Sequence, residues 1–425
     1  GTNTLRRARN AREFLDAARH ALGRPVEIIS GQEEARLIYL GIAHVNPLEG
    51  SKRLAVDIGG GSTEIIVGRG FDPLRSHSLD MGCVRASRKY FPDGVITRDA
   101  FRKAELAAAL ELRAVREAFR TLGWDAAIGS SGTINAVSEL LRANGWDGPE
   151  MTLARMKKLR KAMITAGHVD RLELDGLKAD RAAVLPGGLA ILIAVFRSLS
   201  VDTMTPSSGA LREGVLYDLV GRIERHDARD RAIRRLVEQY HVDLAQAGRV
   251  ERTALGLLAQ VEDAWRGSDG WEPQEGLARK LLTWGALLHE IGLTVSYSGY
   301  HKHGEYLVSH LDLPGFAADD QRVLATLVRG HRRKMSAAVF EPVPADRVLF
   351  TRRLVVLLRL AVLLNRSRLS GTVPVPDVRV EETGLSVKFP TGWLDEHPLT
   401  RADLESETDY LRGTGLELSV VDGSA

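Results

Sequence analysis

Residues 54–68 read LAVDIGGGSTEIIVG, and no other stretch limits the possible folds as tightly. Two short aliphatic runs, 54–58 and 65–67, flank Gly59-Gly60-Gly61-Ser62-Thr63. Aliphatic runs of this length around a glycine turn predict a strand-turn-strand hairpin. The three glycines leave backbone N–H groups free to converge on an anion, because no Cβ blocks close approach. Asp57 ends the first strand and Glu64 opens the second, so two carboxylates stand beside that nest. Mg²⁺ takes oxygen ligands, typically one or two carboxylates plus phosphate oxygens, which makes Asp57 and Glu64 the candidate metal ligands. The turn lacks the Gly-Lys-Ser/Thr ending of a P-loop. A dinucleotide fingerprint needs a glycine where Glu64 stands and a helix where a strand follows. The bland alternative is a glycine-rich hairpin with an incidental acidic pair. The dense acid-glycine-hydroxyl-acid pattern favours a phosphate site.

At 425 residues, with 44% hydrophobic and 27% charged residues, the chain has material for two to four soluble domains. A formal net charge of +3 does not by itself imply nucleic-acid binding. The lone Cys83 excludes an internal disulfide and fits a reducing cytoplasm. The longest apolar run, near 354–364, is too short to span a bilayer and contains Arg359. No signal peptide, tandem repeat or low-complexity tract is visible. The chain opens without Met on GTNTLRRARNAREFL, which predicts a start inside a larger protein.

Helical apolar spacing runs over 4–22, and 26–29 is a strand candidate after Pro25. Ser30-Gly31-Gln32-Glu33 has the form of a capping box, which puts Glu34 in the first turn of a helix running toward Leu40. One of Glu33 and Glu34 is expected only to compensate the helix dipole. Arg6, on its own, is an ordinary helix arginine. An Ala-rich helix follows over 101–119. Residues 125–132 (DAAIGSSG) predict a buried strand entering a second glycine turn, and 133–141 a helix with an anion-friendly N-terminus. A buried helix over 186–199 precedes a third loop-to-helix junction, Ser207-Ser208-Gly209-Ala210. There Arg212 either faces a phosphate or pairs with Glu213.

The order VDIGGGSTE, GSSGT, SGALREG resembles the second lobe of the acetate and sugar kinase/Hsp70/actin fold. More narrowly, GTNTLR, SGQEEARLIYLG, DIGGGSTE, MGCV, GSSGT and SGALREGVLYDL resemble the exopolyphosphatase/guanosine pentaphosphate phosphohydrolase (Ppx/GppA) family, in its long form, over essentially the whole chain. The resemblance implies an α/β, ribonuclease H-like lobe, then an all-α HD-like domain and a small β-containing C-terminal domain. The expected divisions are 1–37 (end of an incomplete first lobe), 38–222 (second lobe), 223–372 (helical) and 373–425. It also implies hydrolysis of the terminal phosphoryl of inorganic polyphosphate or of pppGpp. Mg²⁺ is the implied cofactor, with a monovalent cation such as K⁺ as stimulant. A cytoplasmic homodimer, at most peripheral to the membrane, is expected. Position by position, Glu34 resembles the catalytic glutamate that activates water. Asp57 and Glu64 match the acids near Mg²⁺, Gly59, Gly60, Gly61, Ser62 and Thr63 match a phosphate loop, and Arg6 matches a substrate-pocket arginine. Arg6, Glu34 and Glu64 are thus the candidate catalytic residues, and Arg212 joins the phosphate loop as a candidate ligand. Phosphoryl transfer suits these types, since the protein mainly positions reactants and neutralises charge. One departure is the lack of the family's first DLGSNS-like phosphate loop, so the chain reads as a fragment or as one completed elsewhere.

Beyond residue 221 the pattern turns to charged helices, with a loop at 266–276. The amphipathic stretch 281–293 carries His289-Glu290 and resembles an HD-type phosphohydrolase, with Glu290 where Asp is expected. Val362 and Asn365 also stand where carboxylates are usual, and such losses weaken a hard-cation site. Metal binding by His241, His289 and His331 is weighed against structural histidines, and a scaffold is favoured. Basic clusters at His301-Lys302-His303, 329–334 (RGHRRK) and Arg352-Arg353 are either a solvated face or a polyanion groove. Alternation over 374–421 predicts strands. The favoured function is an Mg²⁺-dependent exopolyphosphatase, with pppGpp 5′-phosphohydrolase as runner-up. A non-catalytic polyphosphate or alarmone-binding module is the reading of another class.

Overall fold

The structure, a computed structural model, describes residues 1–24, 26–48, 50–146, 150–223, 227–266, 276–369, 374–382, 384–412 and 415–422. The chain forms two compact units, Gly1–Ala228 and Arg229–Ala425.

In the first unit β1 (Lys52–Ile58) and β2 (Thr63–Arg69) make the expected antiparallel hairpin. β3 (Asp72–Leu79) adds antiparallel to β2, and β4 (Ala126–Ser130) runs parallel to β1. β5 (Met151–Thr152) and β6 (Thr203–Pro206) complete the sheet in the order β3-β2-β1-β4-β6-β5. The hairpin reads as nearly continuous apolar sequence because both its faces are covered. Leu54, Val56, Ile58, Ile65 and Val67 enter one hydrophobic core, while Ala55 and Ile66 enter another on the opposite face, as a period of two requires. This mixed sheet between helical layers is the α/β lobe that the motifs predicted.

The stretch 4–22 is two helices, α1 (Asn3–Arg7) and α2 (Ala11–Leu22), rather than one. Ala8 turns extended (φ −69°, ψ 128°), and Asn10 holds the N-cap position of the second. Residues 26–29 are not a strand: Ile29 N–H donates to Gly1 O (3.0 Å) and its carbonyl accepts from Arg6, so no strand ladder forms. α3 (Gly31–Val45) packs on the face of Ala55 and Ile66 through Ile38, Tyr39 and Ile42. It runs unbroken through the expected division at residue 37. After α4 (Cys83–Tyr90), the Ala-rich stretch is also two helices, α5 (Arg98–Arg113) and α6 (Arg116–Leu122). α7 (Ser131–Ala143), the largely apolar α8 (Leu185–Leu199) and α9 (Leu211–Ile223) follow the sequence pattern.

The second unit is mostly helical: α10 (Leu244–Trp265), α11 (Leu277–Leu288), α12 (Tyr300–His310), α13 (Ala318–Gly330), α14 (Val348–Leu364) and α15 (Pro398–Arg412). β7 (Asp377–Val380), β8 (Gly384–Phe389) and β9 (Glu417–Asp422) form a small sheet where alternation predicted strands. Val378, Val387, Phe389 and Leu418 of that sheet share one core with the helices. α11 ends at Leu288, so His289-Glu290 follow the helix instead of lying within it. The His289 ring takes the Ala286 carbonyl (Nδ1···O 2.7 Å) at that end. Of the loop expected at 266–276, residues 267–275 lie outside the described residues. No helix among the described residues is long and apolar enough to cross a membrane.

α3 and α9 meet at glycines. A Cβ on Gly214 would fall on the Leu37 carbonyl oxygen, and one on Gly41 would fall on that of Ala210. Ala normally gains about 1 kcal/mol over Gly inside a helix. Backbone overlap reverses that sign, so Gly214→Ala is expected to cost about 1–3 kcal/mol net. Gly248→Ala in α10, where the nearest atom is Arg252 Nη1 at 3.6 Å, is expected to be neutral or slightly stabilising. Denaturant melts of the two variants check the contrast, and equal effects would remove the close-crossing account.

Candidate functional site

The β1–β2 register sets Asp57 directly opposite Glu64. Directly opposed residues of an antiparallel pair share a face, with Cβ atoms about 4.5–5.5 Å apart. The same register places Ser130 of β4 beside Asp57 and Ser78 of β3 beside Glu64. Ser78 Oγ donates to Glu64 Oε1 at 2.7 Å. Glu34 arrives from the first turn of α3, whose N-cap Ser30 accepts Glu33 N–H (3.1 Å). Gly31 permits that approach, since a Cβ there would stand 2.7 Å from Ser78 Cβ. Arg6 Nη2 donates to Glu34 Oε2 at 2.9 Å while Nη1 donates to Ile29 O at 2.6 Å, which fixes the guanidinium.

The acidic pair of α3 divides its work. Glu33 takes both arms of Arg36 (2.8 Å each), and Arg36 also holds Asp218 at 2.5 Å. Glu33 is therefore part of a buried ion network rather than a mere dipole partner, and Glu34 alone turns toward Arg6. The charge of Glu34 acts on both Asp57 and Glu64. Burial pushes Asp57 up to about 7 despite a hydrogen bond with Ser130. Burial, then Glu34, pushes Glu64 up to about 8 despite Ser78.

The glycine turn is clamped from behind by α4. The Gly59 and Gly60 carbonyls accept from Cys83 N–H (2.9 Å) and Val84 N–H (3.1 Å). A Cβ on Gly82 would strike the Gly60 carbonyl, which explains the MGCV segment. The N–H groups of Gly60, Gly61 and Ser62 donate to no backbone carbonyl among the described residues. Thr63 differs from expectation: it is fully buried and its hydroxyl donates to Met81 O (2.7 Å), so its side chain serves the fold of the turn. At the second junction Ser131 holds φ +90°, a strained value for a residue with a Cβ. Ser130 Oγ donates to Gly209 O (2.8 Å), which ties this junction to the third. There Glu213 Oε2 accepts Ala210 N–H (2.9 Å), and no Arg212–Glu213 ion pair occurs among the described residues. Arg212 is exposed in the first turn of α9.

The donor set at Asp57, Glu64 and Glu34 is all carboxylate oxygen, the chemistry of a hard cation such as Mg²⁺. Among the described residues no three His, Cys, Asp or Glu side chains close around one metal position. His241, His289 and His331 likewise do not gather as a ligand set. Their neighbour Glu290 pairs with Arg368. Ser130 falls in the GSS junction the sequence singled out, whereas Ser78, in a strand without clean alternation, and the Arg36–Asp218 pair carry no local sequence signal.

The raised carboxyls have a measurable consequence. Both Asp57 and Glu64 ionise in the folded chain at higher pH than when unfolded, so the folded chain holds extra protons between about pH 4 and pH 8. Stability of the ligand-free protein then falls as pH rises through that window. Glu64→Gln is expected to stabilise it little near pH 4 and by on the order of 2–4 kcal/mol near pH 9. Thermal melts with a chelator across pH test this, and a pH-independent gain would contradict it.

Residues 1–223 match the model of the Ppx/GppA phosphatase family, and residues 228–408 match that of Ppx/GppA phosphatase, domain III. The chain is 40% identical over 425 residues to the guanosine-5′-triphosphate,3′-diphosphate pyrophosphatase of Vibrio cholerae, spanning 99% of this chain and 82% of that one. It is 39% identical over 415 residues to the protein of the same name from Aeromonas hydrophila, again spanning 82% of it. Among solved structures, an Aquifex aeolicus PPX-GPPA enzyme is similar at 28% identity with a TM-score of 0.43, over 51% of this chain and 72% of that one. An exopolyphosphatase from Cytophaga hutchinsonii is similar at 27% identity with a TM-score of 0.46, over 52% and 73%. With both units matched and full-length relatives at this identity, the chain belongs to the Ppx/GppA phosphatase family.

Proposed function

We propose that this chain is a phosphoanhydride hydrolase that removes the 5′-terminal phosphoryl of pppGpp as orthophosphate. The substrate is argued from the curated relatives, which are named as guanosine-5′-triphosphate,3′-diphosphate pyrophosphatases. They favour the runner-up of the sequence reading over the exopolyphosphatase placed first. The structure also weakens one ground for a polyphosphate track. The basic run 329–334 is divided, with Arg329 paired to Glu305 and His331 buried, and in the separate cluster Arg352 and Arg353 stack over Phe340 and Trp265.

One observation carries the hydrolase reading: Glu34, held by Arg6, shares a field with the opposed Asp57–Glu64 pair at the mouth of a glycine turn. In the proposed mechanism the N–H groups of Gly60, Gly61 and Ser62 cradle the terminal phosphoryl oxygens. Ser62 Oγ and Arg212 are further proposed contacts. Glu34 accepts a proton from the attacking water, within hydrogen-bond reach and opposite the leaving group. Arg6 orients Glu34, and its charge faces the polyanion's end. Asp57 and Glu64 are the residues that would hold Mg²⁺, which when bound offsets phosphate charge. Three carboxylates beside a polyphosphate repel it unless a cation intervenes, so the donor set and the substrate call for the same ion.

Phosphate release from pppGpp and from long-chain polyphosphate by the 425-residue chain with Mg²⁺ ranks the readings. A higher kcat/KM on pppGpp is expected. A higher value on polyphosphate restores the exopolyphosphatase, and release from neither favours a binding module. Glu34→Ala is expected to lower kcat by about 10²–10⁴-fold with little change in substrate affinity. Undiminished turnover in that variant would refute the water-activating role.

A further inference from the structure

The second unit contains a cavity of about 500 Å³ that the proposed hydrolysis does not use. That size suits a small organic ligand. Its walls offer three kinds of recognition.

The first is cationic. Arg332 and Arg333 line the cavity; Arg332 lies 4.4 Å over the Tyr300 ring and hydrogen-bonds that side chain, and no carboxylate pairs with either arginine among the described residues. Their turn is built rather than loose. Arg333 is held at φ +66°, and its carbonyl accepts from Arg359 Nη2 at 2.8 Å. Arg359 is 1% exposed, donates also to Gly330 O, and is locked by Glu407 (Nη2···Oε2 2.8 Å). Two guanidiniums on a fixed turn with no carboxylate partner, one of them steadied by an aromatic ring, suit a phosphate.

The second is a hydrogen-bond acceptor pair. His289 lines the cavity at 1% exposure. Its Nδ1 lies 2.7 Å from Ala286 O, so Nδ1 carries the proton and Nε2 presents a lone pair. That Nε2 is buried with no partner. Burial lowers the pKa of this imidazole, and that of His331 beside it, which keeps both neutral. Glu290 Oε1, which already accepts from Arg368 Nη2 at 2.5 Å, stands 4.0 Å from the same Nε2 and keeps a second carboxylate oxygen for a ligand. Two adjacent acceptors require a ligand edge with two adjacent donors. The third is aromatic: Tyr297, 77% exposed, and Tyr410 line the cavity and offer ring faces for stacking.

We propose that this cavity is a second ligand site, separate from the hydrolytic one, for a guanine nucleotide. The phosphate meets Arg332 and Arg333, the N1–H and N2–H edge of the base meets His289 Nε2 and Glu290, and the base stacks on tyrosine. Guanine is selected over adenine because adenine's corresponding edge pairs a donor with an acceptor. This inference does not depend on the substrate of the first unit.

Equilibrium dialysis of the full chain with GMP, AMP and inorganic phosphate, together with photolabelling by 8-azido-GMP, tests it. Expected are labelled peptides containing Tyr297 or Tyr410, and GMP binding at least tenfold tighter than AMP or phosphate. Arg332→Ala/Arg333→Ala should weaken that binding at least tenfold, and Glu290→Gln should narrow the GMP-to-AMP ratio. Circular dichroism of each variant guards against misfolding. Label confined to first-unit peptides overturns the proposal, as does unchanged GMP affinity in the arginine variant. Phosphate binding as tightly as GMP would reduce the site to an anion pocket and overturn the guanine assignment. Zn²⁺ protecting the site in the absence of nucleotide would make it a metal site instead.

Discussion

The first unit is organised around a repulsion. Asp57 and Glu64 face each other across the β1–β2 ladder, both buried, with the Glu34 carboxylate adding to their field. Burying like charges without compensation is among the costliest arrangements a fold can hold. The surrounding groups read as partial compensation: Ser78 on Glu64, Ser130 on Asp57, Arg6 on Glu34. They do not neutralise the set, because Asp57 and Glu64 stay well above ordinary carboxyl values. A site left in this condition is poised for a cation, and a cation there is poised for phosphate.

Close backbone approach is what lets the sheet and helices deliver those groups. Gly31 admits Ser78 and Arg6 to the start of α3, and Gly82 lets α4 seat under the glycine turn. With the Gly59 and Gly60 carbonyls occupied by α4, the turn presents its opposite, donor side. The positive end of α4 is spent on the protein itself, so anion recognition at this turn falls to its own N–H groups.

How much of this was legible in the sequence depended on separation along the chain. The hairpin and the Ser30 N-cap are local patterns and formed where their residues predicted; at GSSGT the strand and helix formed, but the strand passes into the helix at Ser130–Ser131 without the expected turn, and the Glu33 carboxylate goes to Arg36. Asp57 and Glu64 could be paired because seven residues of regular hairpin fix their register. The supporting groups could not. Ser78 belongs to a strand of mixed polarity, DPLRSHSL, which shows no clean alternation. Glu33 and Glu34 were indistinguishable until Arg36 and the distant Asp218 claimed one of them. Thr63 looked like a loop hydroxyl, and only the Met81 carbonyl across the turn shows where it points. Helix ends also escaped the spacing: Ala8, Ala114 and His289 sit in sequences with good helical periodicity, yet each stands at the end of a helix.

Charge runs in the second unit make the same point from the other direction. In sequence RGHRRK is one basic cluster, but a helix end followed by a left-handed residue sends its members to different places. Arg329 meets Glu305, His331 enters the core, and Arg332 lies 4.4 Å over the Tyr300 ring. Arg359, from a stretch that reads as pure core, becomes the buried strut that fixes the turn. Such a strut is costly unless every donor is met, and here the carboxylate of Glu407 and two backbone carbonyls meet them. That buried arginine fixes the turn from which Arg332 and Arg333 reach the wall of the cavity, where Glu290, Asp403 and Glu407 also stand. That investment is hard to account for by packing alone, because apolar side chains of similar volume would fill the same core without it.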